Sequence, residues 1–251
     1  TLEGFLLFCL ASSAVYLIND IADVEADRKH PEKKHRPIAS GKLPLNAARL
    51  AAIVLVAIAL PLGYLLSPAL AVILAVYLAI NILYSRWLKH IPILDVFIVS
   101  SGFVLRVAAG VALITVERFS PWLYMITTLF SLYIGFGKRR AEMSLLETGA
   151  GSHRKVLDGY TLPLLDQLIT IVSGTTIVTY SLYTFTAPNL PENHSMMLTI
   201  PFVVYGIFRY LQLIQTGHAA GAPDEVALKD RPLQVTVVLW VISVIAIFYR
   251  S

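Results

Sequence analysis

The sequence predicts an all-α fold, a polytopic bundle of transmembrane helices. Three observations carry this. Of 251 residues, 57% are hydrophobic and only 14% charged, and the mean hydropathy is +0.70. That is too apolar for a soluble domain of this size. About eight apolar stretches approach the roughly 20 residues that a spanning helix needs. None alternates with a period of two, so they are helices and not barrel strands.

The stretches run over 2–18, 47–66, 69–84, 93–114, 121–136, 164–185, 196–214 and 233–249. Together they predict one integral membrane domain covering residues 1–251. The sequence opens in an apolar context, Thr1-Leu2-Glu3-Gly4-Phe5, without an initiating Met or a charged leader. A further helix is expected before it, and no signal peptide. The single cysteine, Cys9, falls in an apolar stretch. It excludes an intramolecular disulfide and fits a small packing residue.

Charge orients the bundle. One set of connections holds Arg28, Lys29, Lys33, Lys34, Arg36 and Lys42, then Arg86 and Lys89, then Lys138, Arg139, Arg140, Arg154 and Lys155, then Lys229 and Arg231. The opposite set holds little beyond Arg118. Simple alternation of the helices puts every basic connection on one side, and the positive-inside rule makes that side the cytoplasm. The net charge of +4 and pI near 9.1 come from these connections. They suit anionic lipid or phosphorylated substrates. Basic residues beside membrane ends and carboxylates argue against nucleic acid as a partner.

The chemistry begins at the end of the first stretch. Asn19-Asp20-Ile21-Ala22-Asp23-Val24-Glu25-Ala26-Asp27 is an acidic run. At helical spacing, Asp20, Asp23 and Asp27 fall within roughly 60° of one another. Three carboxylates on one side repel unless a cation joins them. Mg²⁺ is usually held by one or two carboxylates, with substrate phosphates and water completing its shell. A solvated acidic helix end is the alternative. The continuation, with Lys33, Lys34 and Arg36, favours a metal-bridged phosphate, because these cations can take the non-bridging oxygens. The same residues also serve as a topogenic loop.

Two further connections carry polar residues. Gly135-Phe136-Gly137-Lys138-Arg139-Arg140-Ala141-Glu142 offers glycines for close approach and cations for phosphate. A Lys138–Glu142 surface pair is the alternative if the helix continues. Arg154-Lys155 and then Tyr160 could bind a further phosphate or be ordinary interfacial residues. Arg106 lies inside an apolar stretch with Asp95 about three helical turns away. It is expected to be satisfied by another helix or by carbonyl groups. Asp224, Glu225, Lys229, Asp230 and Arg231 either close a cavity or cap the last helix. No nucleophile–His–acid arrangement, no Walker loop and no zinc-spaced Cys/His set stands out.

Asn19-Asp20-x-x-Asp23-x-x-x-Asp27, followed by Arg36-Pro37-Ile38-Ala39-Ser40-Gly41, resembles the first signature of the UbiA-type superfamily of membrane prenyltransferases. Tyr84-Ser85 and the segment DVFIVSSGFVLRVAAG over 95–110 also resemble it. Most of that superfamily carries a second Asp-rich motif where this chain has Gly137 to Glu142. The departure resembles the branch that moves 5-phosphoribose from phosphoribosyl pyrophosphate to a polyprenyl (decaprenyl) phosphate, releasing pyrophosphate, for cell-wall arabinan. Such substrates bring extra phosphates, and Lys138, Arg139 and Arg140 supply extra fixed cations.

The resemblance implies a Mg²⁺-dependent transferase of the plasma membrane with its site facing the cytoplasm, compatible with a homo-oligomer. Asp20, Asp23 and Asp27 are the expected catalytic metal holders. Asn19, Lys33, Lys34, Arg36, Tyr84, Lys138, Arg139, Glu142 and Arg154 are the expected substrate contacts. The rival readings are a prenyltransferase that uses a polyprenyl diphosphate and an aromatic acceptor, and a transporter. For a transporter, ionisable residues would spread near mid-bilayer; here they gather at one face.

Overall fold

The computed structural model describes residues 2–29, 33–114, 120–147, 155–188, 190–216 and 229–250. Among these residues there is no strand. Long helices account for the structure, and among the described residues seven helical segments are long and apolar enough to cross a membrane. The protein is thus an integral membrane protein, as its composition predicts. The chain forms two compact units, residues 1–119 and 120–251.

In the first unit, α1 (Leu2–Ala22) is followed by the short α2 (Val24–Lys29), then α3 (Leu45–Leu66), α4 (Pro68–Arg86) and α5 (Leu94–Val111). On α1, Gly4, Leu7, Ala11 and Ala14 are buried, and their spacing of three and four residues makes one face. On α3 the buried residues are Ala48, Ala52, Ala59 and Gly63. Small side chains on both helices let their backbones approach closely, the usual solution where lipid removes the hydrophobic drive for association. Leu70, Leu74 and Tyr77 of α4 and Ala109 of α5 complete the core with Phe8. Outward residues such as Leu50, Ile53 and Leu65 stay exposed, as hydrocarbon-facing side chains should. Ser67 alone joins α3 to α4, with its hydroxyl accepting from the Leu70 N–H and Pro68 opening the next helix. This pairs a serine cap with a proline where no N–H is needed.

Arg106 is satisfied inside this unit, as expected. Its Nη1 donates to the Gly102 carbonyl at 3.0 Å, and Nη2 donates to the Tyr77 hydroxyl at 3.0 Å and Ser12 Oγ at 3.4 Å. Its guanidinium also lies over the rings of Phe8, Tyr77 and Phe103, a cation–π arrangement.

The second unit contains α6 (Pro121–Glu147), α7 (Leu162–Thr186), α8 (Ile200–Gln215) and α9 (Arg231–Arg250). α6 is long enough to span but more polar than the others, and it runs well past the expected end at residue 136. The Gly137-to-Glu142 motif is therefore helical. Packing holds it so: Phe136 is buried, and a Cβ at Gly137 would lie 2.7 Å from Ile214 Cδ1 and 3.2 Å from the Tyr210 hydroxyl. The glycine thus admits α8 closely, and this contact outweighs its weak helix preference. The Tyr133 hydroxyl donates to the Ile207 carbonyl at 2.7 Å. Trp240 Nε1 donates to the Tyr180 hydroxyl, which can donate to Thr199 Oγ1, which can donate to the Met196 carbonyl. Each donor in these two links finds an acceptor, as apolar surroundings favour. Asp230 caps α9 by accepting from the Leu233 N–H at 2.9 Å and pairs with Arg209 through two bonds. Of the two roles open to this residue, it fills the cap. Asp224 and Glu225 lie outside the described residues.

Candidate active site

The acidic run is not a loop. α1 continues to Ala22, and the Asp23 N–H donates to the Asn19 carbonyl while the Asp27 N–H donates to the Asp23 carbonyl. The i, i+4 bonding carries the helical phase across the break at Asp23, so Asp20 and Asp27 keep nearly the same direction. They converge on one cation. Arg36 Nη1 donates to Asp20 Oδ1 and Asp27 Oδ2, both at 2.9 Å. Asp23, turned away by one step, accepts from Lys89 Nζ instead.

Local structure brings Arg36 there. A helical turn at Lys33–His35 ends with the Arg36 N–H donating to the Lys33 carbonyl. The Ser40 N–H then donates to the Arg36 carbonyl, and Gly41 takes a φ of 80°, which an L side chain rarely adopts. Ile38 and Ala39 of this turn are buried. Arg28 fastens α2 to it, donating to the Ala39 carbonyl at 3.3 Å and to Glu25 Oε1 at 2.8 Å. Lys33 stands near enough to act electrostatically on Asp20. Lys34 is exposed, and Tyr84 is half-buried in the last turn of α4.

Among the described residues no three His, Cys, Asp or Glu side chains are gathered as a ready metal cage. The chain's own cations neutralise the carboxylates. The donor chemistry nevertheless fits Mg²⁺. Asp20 Oδ2, Asp23 Oδ2 and Asp27 Oδ1 carry no hydrogen bond among the described residues. Asn19 Oδ1, on the same helix end, is buried without a hydrogen-bond partner. Hard oxygen donors of this kind are what Mg²⁺ takes, and it needs only one or two from protein.

The second unit presents its own charges on α6. Arg139 is only 5% exposed and donates to Glu142 Oε2 at 2.7 Å. The pair formed is thus i, i+3 from Arg139, and it is nearly buried. Arg140 binds Asp166 of α7 and donates to the Ile214 carbonyl of α8, which ties three helices together. Lys138 is exposed. Arg154 lies outside the described residues. Sequence spacing did not reveal Lys89 as the partner of Asp23, or Arg28 as a clamp on the turn. The only signal for Lys89 was its place in the short polar link between two apolar stretches.

Apolar spanning helices define an integral membrane protein, and its carboxylates and basic groups gather at a helix end. The chain matches the UbiA prenyltransferase family over residues 1–226 and belongs to that family; it is an integral membrane transferase of this superfamily. It is 38% identical to the decaprenyl-phosphate phosphoribosyltransferase of Corynebacterium glutamicum over 98% of this chain and 75% of that protein. It is also 38% identical to the Mycobacterium tuberculosis protein of the same name, over 96% and 79%. Its fold resembles a UbiA homologue from Archaeoglobus fulgidus, solved bound to DMAPP and Mg²⁺, with a TM-score of 0.73 at 16% identity over 98% of this chain and 86% of that one.

Proposed function

We propose that this protein transfers 5-phosphoribose from phosphoribosyl pyrophosphate to a polyprenyl phosphate, with release of pyrophosphate, in a Mg²⁺-dependent reaction on the cytoplasmic face of the plasma membrane. The observation that carries the reading is near-full-length similarity to the actinobacterial phosphoribosyltransferases. The charge pattern supports it: one carboxylate cluster in the first unit, and Lys138 and Arg139 in the second where the wider superfamily keeps acids.

Asp20 and Asp23 would hold the metal on the donor diphosphate, with Asp27 in support and Asn19 orienting the donor. Bound there, Mg²⁺ supplies charge neutralisation for the departing pyrophosphate. Lys33, Lys34 and Arg36 take non-bridging diphosphate oxygens. Tyr84, Lys138, Arg139, Glu142 and Arg154 are proposed to contact the remaining groups of donor or acceptor. The bond from the ribose anomeric carbon to pyrophosphate breaks as the bond to a lipid phosphate oxygen forms. That oxygen is already ionised, so no strong general base is needed. Direct displacement inverts the anomeric centre.

The test offers the purified protein labelled phosphoribosyl pyrophosphate with polyprenyl phosphate, and in parallel a polyprenyl diphosphate with aromatic acceptors, with and without Mg²⁺. Metal-dependent formation of lipid-linked phosphoribose is expected. Turnover of the prenyl diphosphate alone would replace this reading with aromatic prenylation.

A further inference from the structure

Arg106 is tied down but not neutralised. Its contacts are the Gly102 carbonyl, two hydroxyls and three rings. No carboxylate pairs with it among the described residues, and it is exposed within a helix of spanning character. Three of its five N–H donors are used, and two remain. A guanidinium inside a membrane bundle without a counter-ion is costly and marks a functional position. Asp95 lies on the same side of α5 but about 16 Å along it, too far to compensate.

A polar track leads from the acidic site to this cation. On α1, Ser12, Asn19 and Asp23 recur at seven and four residues, one side of a helix. Asp23 belongs to the site, Asn19 Oδ1 is buried without a partner, and Ser12 touches Arg106. On α4, Tyr77, Asn81 and Ser85 step at four-residue intervals; Ser85 is 3% exposed, and its Oγ also lacks a partner. α1, α4 and α5 pack on one another. Ser12 lies two turns from Asp20, about 12 Å along α1. A bundle that were only structural would not be expected to leave two buried polar atoms unsatisfied on the helices that lead from the carboxylates to an unneutralised cation.

We propose that Arg106 is the anchor of a second anion subsite, for a phosphate monoester, reached along this track from the carboxylate cluster. The inference rests on the phosphoribosyl-transfer reading, in which two such monoesters occur: the 5-phosphate of the donor and the head of the lipid acceptor. The unsatisfied Asn19 and Ser85 oxygens suit the ribose hydroxyls between the donor's two charged ends.

The test uses the wild-type protein in detergent with Mg²⁺ and inorganic pyrophosphate. Phenylglyoxal modification of Arg106 is followed by peptide mass spectrometry, with ribose 5-phosphate or a short polyprenyl phosphate added. Protection by ribose 5-phosphate is expected and assigns the subsite to the donor; protection by the lipid phosphate alone assigns it to the acceptor. No protection by either overturns the proposal, whatever the turnover assay shows. In parallel, Arg106→Gln should raise the KM for the protecting substrate about 10-fold or more, with inhibition by pyrophosphate unchanged, and Arg106→Lys should recover part of the loss. An equal loss for pyrophosphate would mean a general structural defect and would also count against it. If the protein uses only prenyl diphosphates, the functional reading fails, while the protection result still decides whether the subsite exists.

Discussion

The charged cluster after α1 and the one on α6 use the same residue types, but their charges are settled differently. After α1, the carboxylates are met by Arg36 and Lys89, which arrive from other segments, and Asp20 and Asp23 keep more than a quarter of their side-chain surface exposed. On α6, Arg139 and Glu142 satisfy each other one turn apart, with Arg139 nearly buried, and Arg140 is spent on holding α7 and α8. Lys138, one residue earlier on the same helix, is exposed. The first cluster is therefore the one proposed to exchange protein cations for a metal and a diphosphate. Most of the second is locked into the helix bundle.

The largest effect should come from the open cluster. Asp20→Ala or Asp23→Ala removes a carboxylate proposed to hold the metal, and loss of several kcal/mol of transition-state stabilisation corresponds to about 10³-fold in turnover. Thermal unfolding should change little, because the apolar core of α1 is untouched. Near-normal turnover in both variants would erase the proposed contrast between the clusters.

The locked cluster should respond in the opposite sense. Arg139→Ala breaks a nearly buried ion pair with Glu142 and should cost up to about 3–5 kcal/mol of stability. Unfolding measurements check this before any kinetics are interpreted. A raised KM for a phosphorylated substrate in the folded fraction is expected from the proposed contact, and an Arg139→Ala protein with unchanged KM would remove Arg139 from the proposed contacts.

Lys138→Ala separates the two roles within one motif. Stability should stay within about 0.5 kcal/mol, as for surface substitutions generally. The KM for a phosphorylated substrate should rise, with a charge-assisted contact worth about 1.5–3 kcal/mol. Unchanged kinetics with phosphoribosyl pyrophosphate would remove Lys138 from the site and weaken the functional reading.

The smallest effect lies at Asp230, a structural charge outside both clusters. The bond from Arg209 holds its carboxyl below the usual carboxylate range, with the Leu233 N–H in support. Its stabilisation is therefore complete above the ordinary carboxylate pKa and is lost as pH falls through the lower folded value. Asp230→Ala should cost about 1 kcal/mol as a lost cap at neutral pH. The gap from wild type in thermal unfolding should close in acid; a pH-independent gap would show that the charge plays no part.

The sequence by itself determined the helical membrane class, the positions of nearly all the spanning helices, the acidic run and its family. These follow from local quantities: hydropathy over about 20 residues, the spacing of Asp20, Asp23 and Asp27 on a helix, and motif chemistry. It also implied that Arg106 needed partners from elsewhere, because a charge in a span cannot be left bare. The tertiary structure decided which partners those were, that Lys89 reaches Asp23, that Asp20 and Asp27 share Arg36, and that the Gly137 segment stays helical against α8. It also turned Arg139 inward and left Lys138 outward. Neighbours in a helix are set by its pitch, whereas an ion pair between residues 66 apart depends on how helices pack, and no local spacing encodes that.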